Sequence, residues 1–154
     1  MKIVIYNDSY KYEVSKLLYD YMLEMEHNCI GSTDEAIDMM IANGRHIYLL
    51  LDDKDIVIGF TIFYINNQYG LLPPTVVNEY VYLEPTYRTS VATKYLLLQT
   101  LDYCDYFDYD LYGYTYKESS NIHNSKLMDG IEVGSIYRFN IDNMKKKLKR
   151  LRRK

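Results

Sequence analysis

The fold is decided by the stretch from residue 76 to residue 98, which reads VVNEYVYLEPTYRTSVATKYLLL. Its first half alternates and is rich in valine and tyrosine, which predicts a β-strand. Pro85 ends that strand, because proline donates no ladder hydrogen bond and biases Glu84 away from helical backbone. A polar turn at residues 88–90 then leads into a mostly apolar helical run. This unit predicts an anion site, because the first N–H groups of a helix have no internal partner. An ordinary strand–turn–helix unit without a ligand is the alternative.

The rest of the chain predicts a mixed α/β fold. The other predicted strands are residues 2–6, 46–51, 56–65, 110–116 and 130–139, the last being one strand or a strand pair. The predicted helices are one that runs to about Met25, one from a capping box at Ser32 to Gly44, residues 91–104, residues 121–128, and a basic helix from Asn140. This order predicts a largely antiparallel front half and one β–α–β crossover after the central strand.

Length and composition indicate one globular domain with a sizeable core, since 48% of the 154 residues are hydrophobic. No apolar run approaches the roughly 18 residues of a membrane span, so we expect no membrane partner. The first six residues, MKIVIY, predict a strand and not a signal peptide. The two cysteines, Cys29 and Cys104, predict neither a disulfide framework nor a metal site. We therefore expect a cytoplasmic protein.

The charge is divided unevenly along the chain. Eight of the 18 basic residues lie between residues 145 and 154, which leaves ten basic and 21 acidic residues elsewhere, a net charge of −11. We therefore predict a domain over residues 1–140 and a basic amphipathic tail over residues 141–154, with Met144, Leu148 and Leu151 as its thin apolar stripe. The tail predicts docking to a protein partner or to nucleic acid, and a solvated end is the alternative. The sequence also allows a homo-oligomer.

Two motifs give the chain a family resemblance. Gly59 stands in IVIGF, and residues 82–88 read YLEPTYR. In these motifs, and in element order over residues 1–139, the chain resembles the GNAT superfamily of acyl-CoA-dependent N-acyltransferases. The resemblance implies a GNAT-like fold with acetyl-CoA as cofactor, its pyrophosphate held by the loop after the strand. The implied cofactor-binding residues are Tyr82, Leu83, Arg88, Thr89, Ser90, Val91, Ala92, Thr93 and Lys94.

The loop departs from the family pattern at two positions. Val91 and Thr93 stand where the family usually has glycine or another small residue, and β-branched side chains crowd a close backbone approach to phosphate. The order Arg-Thr-Ser-Val-Ala over residues 88–92 is closer to a variant found in phage-encoded members. A phage or low-GC bacterial origin also fits the 19 tyrosines, which have AT-rich codons. The loop implies either an adjusted cofactor geometry or a degenerate member.

The resemblance also implies catalytic groups. Glu79 falls at the position of a common family base on the central strand, and a solvated or salt-bridged strand residue is the alternative. The usual acid, a tyrosine, is replaced by Lys126, so Tyr114 or Tyr116 is the substitute candidate. The three histidines lie far apart and predict no metal.

Two functions are compatible with these features. The first is acetyl-CoA-dependent N-acetylation of an amine, in which the amine of a small cationic molecule, a protein lysine or a protein N-terminus attacks the thioester directly. The second is a catalytically degenerate GNAT-like virion or assembly protein of a phage, which docks through its basic tail. The location is then the host cytoplasm or the virion.

Overall fold

The computed structural model describes residues 1–25, 31–67, 73–114, 131–133, 136–139 and 142–146. Among these residues, α1 (Lys11–Glu24), α2 (Thr33–Ala42) and α3 (Ser90–Phe107) are helices, and residues 142–146 are also helical. The strands are β1 (Lys2–Ile5), β2 (His46–Leu51), β3 (Val57–Asn66), β4 (Thr75–Leu83), β5 (Asp110–Tyr114), β6 (Ile131–Val133) and β7 (Ile136–Phe139). Short 3-10 turns at Asp8–Tyr10 and Pro85–Tyr87 precede α1 and α3. The mixed α/β prediction is confirmed.

The chain divides into two compact units, Met1–Phe63 with Tyr80–Gln99, and Tyr64–Glu79 with Thr100–Lys154. In the first unit β1, β2, β3 and the end of β4 are neighbours in that order. In the second unit the start of β4 is followed by β5, β7 and β6. Pairing is antiparallel for β1/β2, β2/β3, β5/β7 and β6/β7, whereas β4/β5 is parallel. The parallel pairing of β4 with β5 confirms the crossover through α3.

Most predicted boundaries lie within three residues of the observed ones. Strand β2 has the predicted bounds, and α3 is longer than predicted at both ends. The predicted last strand, residues 130–139, is a strand pair, β6 and β7. Residues 115–130, with Tyr116, Lys126 and the predicted helix 121–128, lie outside the described residues, as does the tail beyond residue 146.

The predicted capping box at the start of α2 is wrong. The Ser32 side chain makes no capping hydrogen bond. The neighbouring Thr33 hydroxyl instead lies 2.5 Å from the hydroxyl of Ser15, a buried residue of α1 that needs a polar partner. The end of α2 is as predicted, because Gly44 has a φ of +74°, which glycine adopts without a Cβ penalty.

Helices cover both faces of the sheet in the first unit. One cluster joins Val14, Leu17 and Ile37 of the first two helices to Leu49 and Phe60 of the sheet. A second cluster joins Leu50, Ile58 and Leu83 to Ala92 and Leu96 of α3. Successive residues of β2, such as Leu49 and Leu50, point to opposite faces, which explains why this strand is almost wholly apolar. The start of α3 is therefore anchored against the sheet by its own apolar side chains.

Gly59 allows β3 and β4 to approach closely near the end of β4. A Cβ at this position would lie 2.6 Å from the carbonyl oxygen of Tyr82 and 2.6 Å from a side-chain carbon of Leu83. No side chain fits in that space without displacing backbone. Gly59 thus fixes the strand end from which the candidate loop begins.

Candidate functional site

A fixed turn carries the chain from β4 towards α3. Pro85 begins the 3-10 turn, where a missing N–H costs nothing, and the amide of Tyr87 donates to the carbonyl of Glu84 at 2.9 Å. The Tyr87 hydroxyl donates to Oδ2 of Asp52 at 3.2 Å. Asp52 also accepts from the backbone amides of Lys54 and Ile56, so the turn is tied to the β2–β3 hairpin. These hydrogen bonds hold the start of the loop in place.

Thr89 caps the start of α3. Its hydroxyl accepts from the amide of Ala92 at 3.2 Å, and its carbonyl accepts from the amide of Thr93 at 3.1 Å. The amides of Ser90 and Val91 precede the first intrahelical bond, so the helix itself offers them no acceptor. The first turn of α3 contains no acidic residue. Its positive end therefore suits an anion, and two amides are available to point at it.

Arg88 lies between the end of β4 and the end of α1. Its Nε donates to the carbonyl of Leu83 at 2.9 Å, and its Nη1 donates to Oε1 of Glu24 at 2.7 Å. Its Nη2 donates to the other oxygen of the same carboxylate. The guanidinium carbon lies 5.4 Å from the ring centroid of Tyr82, in cation–π range. The hydrogen bonds with Glu24 raise the pKa of Arg88 above its usual value.

Glu24 is a site residue that the sequence did not predict. It lies 64 positions before Arg88 and closes α1. The chain around it reads as an ordinary amphipathic helix end, and no motif there signals an anion site. Only the packing of α1 against the sheet brings the carboxylate to Arg88.

The predicted cofactor-binding residues differ in what they can offer a ligand. The side chains of Tyr82, Leu83 and Ala92 are buried in the core, so these residues have only backbone atoms to offer a ligand. The Val91 side chain is 49% exposed and faces outwards. The Thr93 hydroxyl donates to the carbonyl of Thr89 at 3.0 Å, which holds it against the helix. Of the other predicted residues, Arg88 and Thr89 lie in the turn, Ser90 is the first residue of α3, and Lys94 is half-buried in the second turn of α3.

The predicted catalytic residues are placed only in part. Glu79 lies on β4, is half-buried and belongs to the second unit. Tyr114 is the last residue of β5 and pairs with Ile136 of β7. Tyr116 lies outside the described residues. Their catalytic roles therefore stay predictions.

Two other site classes find no support in the described part of the chain. Residues 1–25, 31–67, 73–114, 131–133, 136–139 and 142–146 contain no group of three or more His, Cys, Asp and Glu side chains that could hold a metal ion. Within the same residues, every helix is too short or too polar to cross a membrane.

Comparison with solved structures identifies the fold. A GNAT-family acetyltransferase from Staphylococcus aureus Mu50 superposes with a TM-score of 0.70 at 16% identity, over 91% of this chain and 98% of that one. The chain has the fold of the GNAT acetyltransferases. The ribosomal-protein-alanine N-acetyltransferase of Brucella melitensis biovar Abortus 2308 shares this fold, with a TM-score of 0.70 and 13% identity over 86% of this chain and 94% of that one.

An aminoglycoside 6′-N-acetyltransferase from Acinetobacter haemolyticus shares the GNAT fold as well, with a TM-score of 0.67 and 15% identity over 91% of this chain and 97% of that one. No protein-family profile matches the sequence, and no curated protein matches it. At these identities the comparisons establish the GNAT fold, and the activity has to be argued from the residues of this chain. The predicted phage origin stays a prediction.

Proposed function

We propose that this GNAT-fold chain is an N-acetyltransferase that uses acetyl-CoA and an amine acceptor. The observation that carries the proposal is the start of α3, where Thr89 caps the helix and no acid occupies the first turn. A pyrophosphate carries the negative charge that such a helix end favours. The outward-facing side chain of Val91 leaves its amide at the helix end, so the valine at this position is compatible with an anion.

Each part of the loop has a proposed role. The amides of Ser90 and Val91 and the positive end of α3 would bind the pyrophosphate, and Arg88 would add positive charge beside it when it is released from Glu24. The capped and tied turn would keep these donors in place before the cofactor arrives, so little ordering is needed on binding. When bound, acetyl-CoA supplies a thioester that an amine can attack.

Glu79 is the proposed general base. A carboxylate on the central strand can take a proton from the attacking amine, directly or through water. Tyr114 or Tyr116 is the proposed acid that protonates the leaving thiolate. The acceptor is proposed to be cationic, because residues 1–144 carry 21 acidic and ten basic side chains. The solved structures that share the fold include enzymes named for acetylating a protein alanine and an aminoglycoside, so both a protein amine and a small polycation are tested.

Calorimetry with acetyl-CoA tests the proposal. We expect one cofactor per chain and a rise in melting temperature on addition, since a ligand that binds only the folded state stabilises it. Acetylation of a polyamine, an aminoglycoside and a lysine-containing peptide is then followed, with the matched Glu79→Gln variant. That variant should bind acetyl-CoA normally and turn over more slowly. If millimolar acetyl-CoA gave neither binding heat nor a melting shift, the enzymatic function would be abandoned.

A second candidate function is a degenerate GNAT-fold protein of a phage virion or its assembly, docked through the basic tail. The pairing of Arg88 with Glu24 favours it, because the pair has no net charge to offer a cofactor. Within the described part of the tail, Met144 is buried and Lys145 forms an ion pair with Asp105. This function predicts no acetyl-CoA binding and a partner lost on deletion of residues 147–154. The protein or nucleic-acid partner, a homo-oligomer and the cytoplasmic location stay predictions.

A further inference from the structure

The carboxylate of Glu24 binds the Nη end of the Arg88 side chain. Without Glu24, this end would present a free positive charge. Both Nη atoms of Arg88 donate to it, one to each oxygen. We propose that Glu24 is a built-in counter-ion of Arg88 that weakens anion binding at the start of α3 and so sets the affinity for CoA. This inference rests on the proposed function and names a residue that tunes it.

Glu24 weakens the attraction of Arg88 for an anion whether or not Arg88 moves when a cofactor binds. If the pair stays intact, it presents almost no net charge to a pyrophosphate in the neighbouring loop. If the pair opens, the anion must displace a carboxylate that is bound to Arg88 through two hydrogen bonds. Such bidentate pairing is the strongest way in which arginine binds a carboxylate. Either way, part of the attraction of Arg88 for an anion is cancelled by Glu24.

Helix stability does not explain an acid at position 24. The last turn of a helix carries partial negative charge and favours Lys, Arg or His. The last turn of α1 contains no basic residue and ends on Glu24. The carboxylate is thus placed against the helix dipole, and its contact with Arg88 accounts for it better than α1 does.

Arg88 has a second anchor that would survive the loss of Glu24. Its Nε donates to the carbonyl of Leu83, and its guanidinium lies over the ring of Tyr82. Neither contact involves Glu24. Replacing Glu24 with glutamine therefore leaves the guanidinium at the strand end and removes one negative charge beside it. The glutamine is nearly the same size, so the effect of charge is separated from that of shape.

The experiment compares the folded wild type with the Glu24→Gln and Glu13→Gln variants. Calorimetry measures CoA and inorganic pyrophosphate as separate ligands, at low and at high salt. We expect Glu24→Gln to bind both about three- to tenfold more tightly, with a greater loss of affinity on adding salt. Glu13→Gln is the matched control, since Glu13 is an exposed acid in the first turn of α1, about 16 Å along the helix from Glu24. It should change neither affinity by as much as twofold.

The outcomes separate this inference from the proposed function. Tighter pyrophosphate binding by Glu24→Gln supports the counter-ion role, even if neither the wild type nor this variant binds CoA. In that case only the proposed function is overturned. Unchanged or weaker binding of pyrophosphate by Glu24→Gln overturns the counter-ion role, even if both proteins bind CoA and the proposed function stands. No pyrophosphate binding by any variant at millimolar concentration overturns it as well.

Discussion

Helices α2 and α3 begin in opposite ways. The first turn of α2 carries two acids, Asp34 and Glu35, and the side chain of the residue before it, Ser32, makes no cap. The first turn of α3 has no acid, and the hydroxyl of Thr89 caps it. Both beginnings lie in the first unit of the chain.

The positive end of the helix is neutralised by the chain itself in α2 and left without a negative charge in α3. In α2 the acids neutralise that end themselves, which stabilises the helix and repels an external anion. In α3 a neutral hydroxyl satisfies one amide and leaves the positive potential available. A helix start that is held by a neutral cap can serve a ligand, whereas one held by acids serves only stability.

The largest expected effect comes from making α3 resemble α2. Val91→Asp places an acid in the first turn of α3, on a side chain that is half exposed. We expect the free energy of unfolding to rise by about 0.3–1 kcal/mol through the helix dipole. We expect the affinity for CoA to fall at least about tenfold, which corresponds to roughly 1.4 kcal/mol, because like charges meet. Urea denaturation and calorimetry measure the two quantities.

Val91→Asn is the control for that variant, since asparagine has the shape of aspartate without its charge. It should keep most of the affinity for CoA. Equal losses in the two variants would mean that the shape of residue 91, and not the charge of the helix end, governs binding.

The next prediction compares Thr89, whose side chain caps α3, with Ser32, whose side chain does not cap α2. Thr89→Ala removes the acceptor of the Ala92 amide and should cost about 1 kcal/mol of the free energy of unfolding. Ser32→Ala should change it by less than about 0.5 kcal/mol, because the Ser32 side chain makes no capping bond. Urea denaturation of both variants is the measurement. A larger loss for Ser32→Ala than for Thr89→Ala would reverse the comparison of the two helix starts.

The smallest effect concerns the turn that leads into α3. Hydrogen bonds from the Ile56 and Lys54 amides and from the Tyr87 hydroxyl hold the pKa of Asp52 below its ordinary value of 3.8. A depressed pKa in the folded state stabilises the fold above the unfolded pKa, and this stabilisation is lost as the pH falls through the folded pKa. The wild type should therefore melt slightly above Asp52→Asn at pH 7. That gap should close in melting curves taken below about pH 4, and a gap that stayed constant down to pH 3 would show that the charge of Asp52 plays no part.

Much of the fold was predictable because its signals are local. Alternation and apolar runs predicted β2, β3 and β4, and Pro85 and Gly44 marked the ends of elements through backbone rules that act within a few residues. The box at Ser32 failed because Thr33 next to it bonds Ser15, and a partner 18 positions away is invisible to a local rule.

Motifs and local patterns in the sequence were enough to predict the strand–turn–helix unit of residues 76–98, the residues of the candidate loop and the resemblance that proved correct for the fold. The close approach of Gly59 to the carbonyl of Tyr82 and the pairing of Arg88 with Glu24 became apparent only in the folded chain. The physical reason is that propensities and caps act along the chain, whereas these contacts join segments that meet only after the sheet and its helices have packed. The charge that a cofactor would meet at Arg88 is therefore set by α1, 64 residues away in the chain.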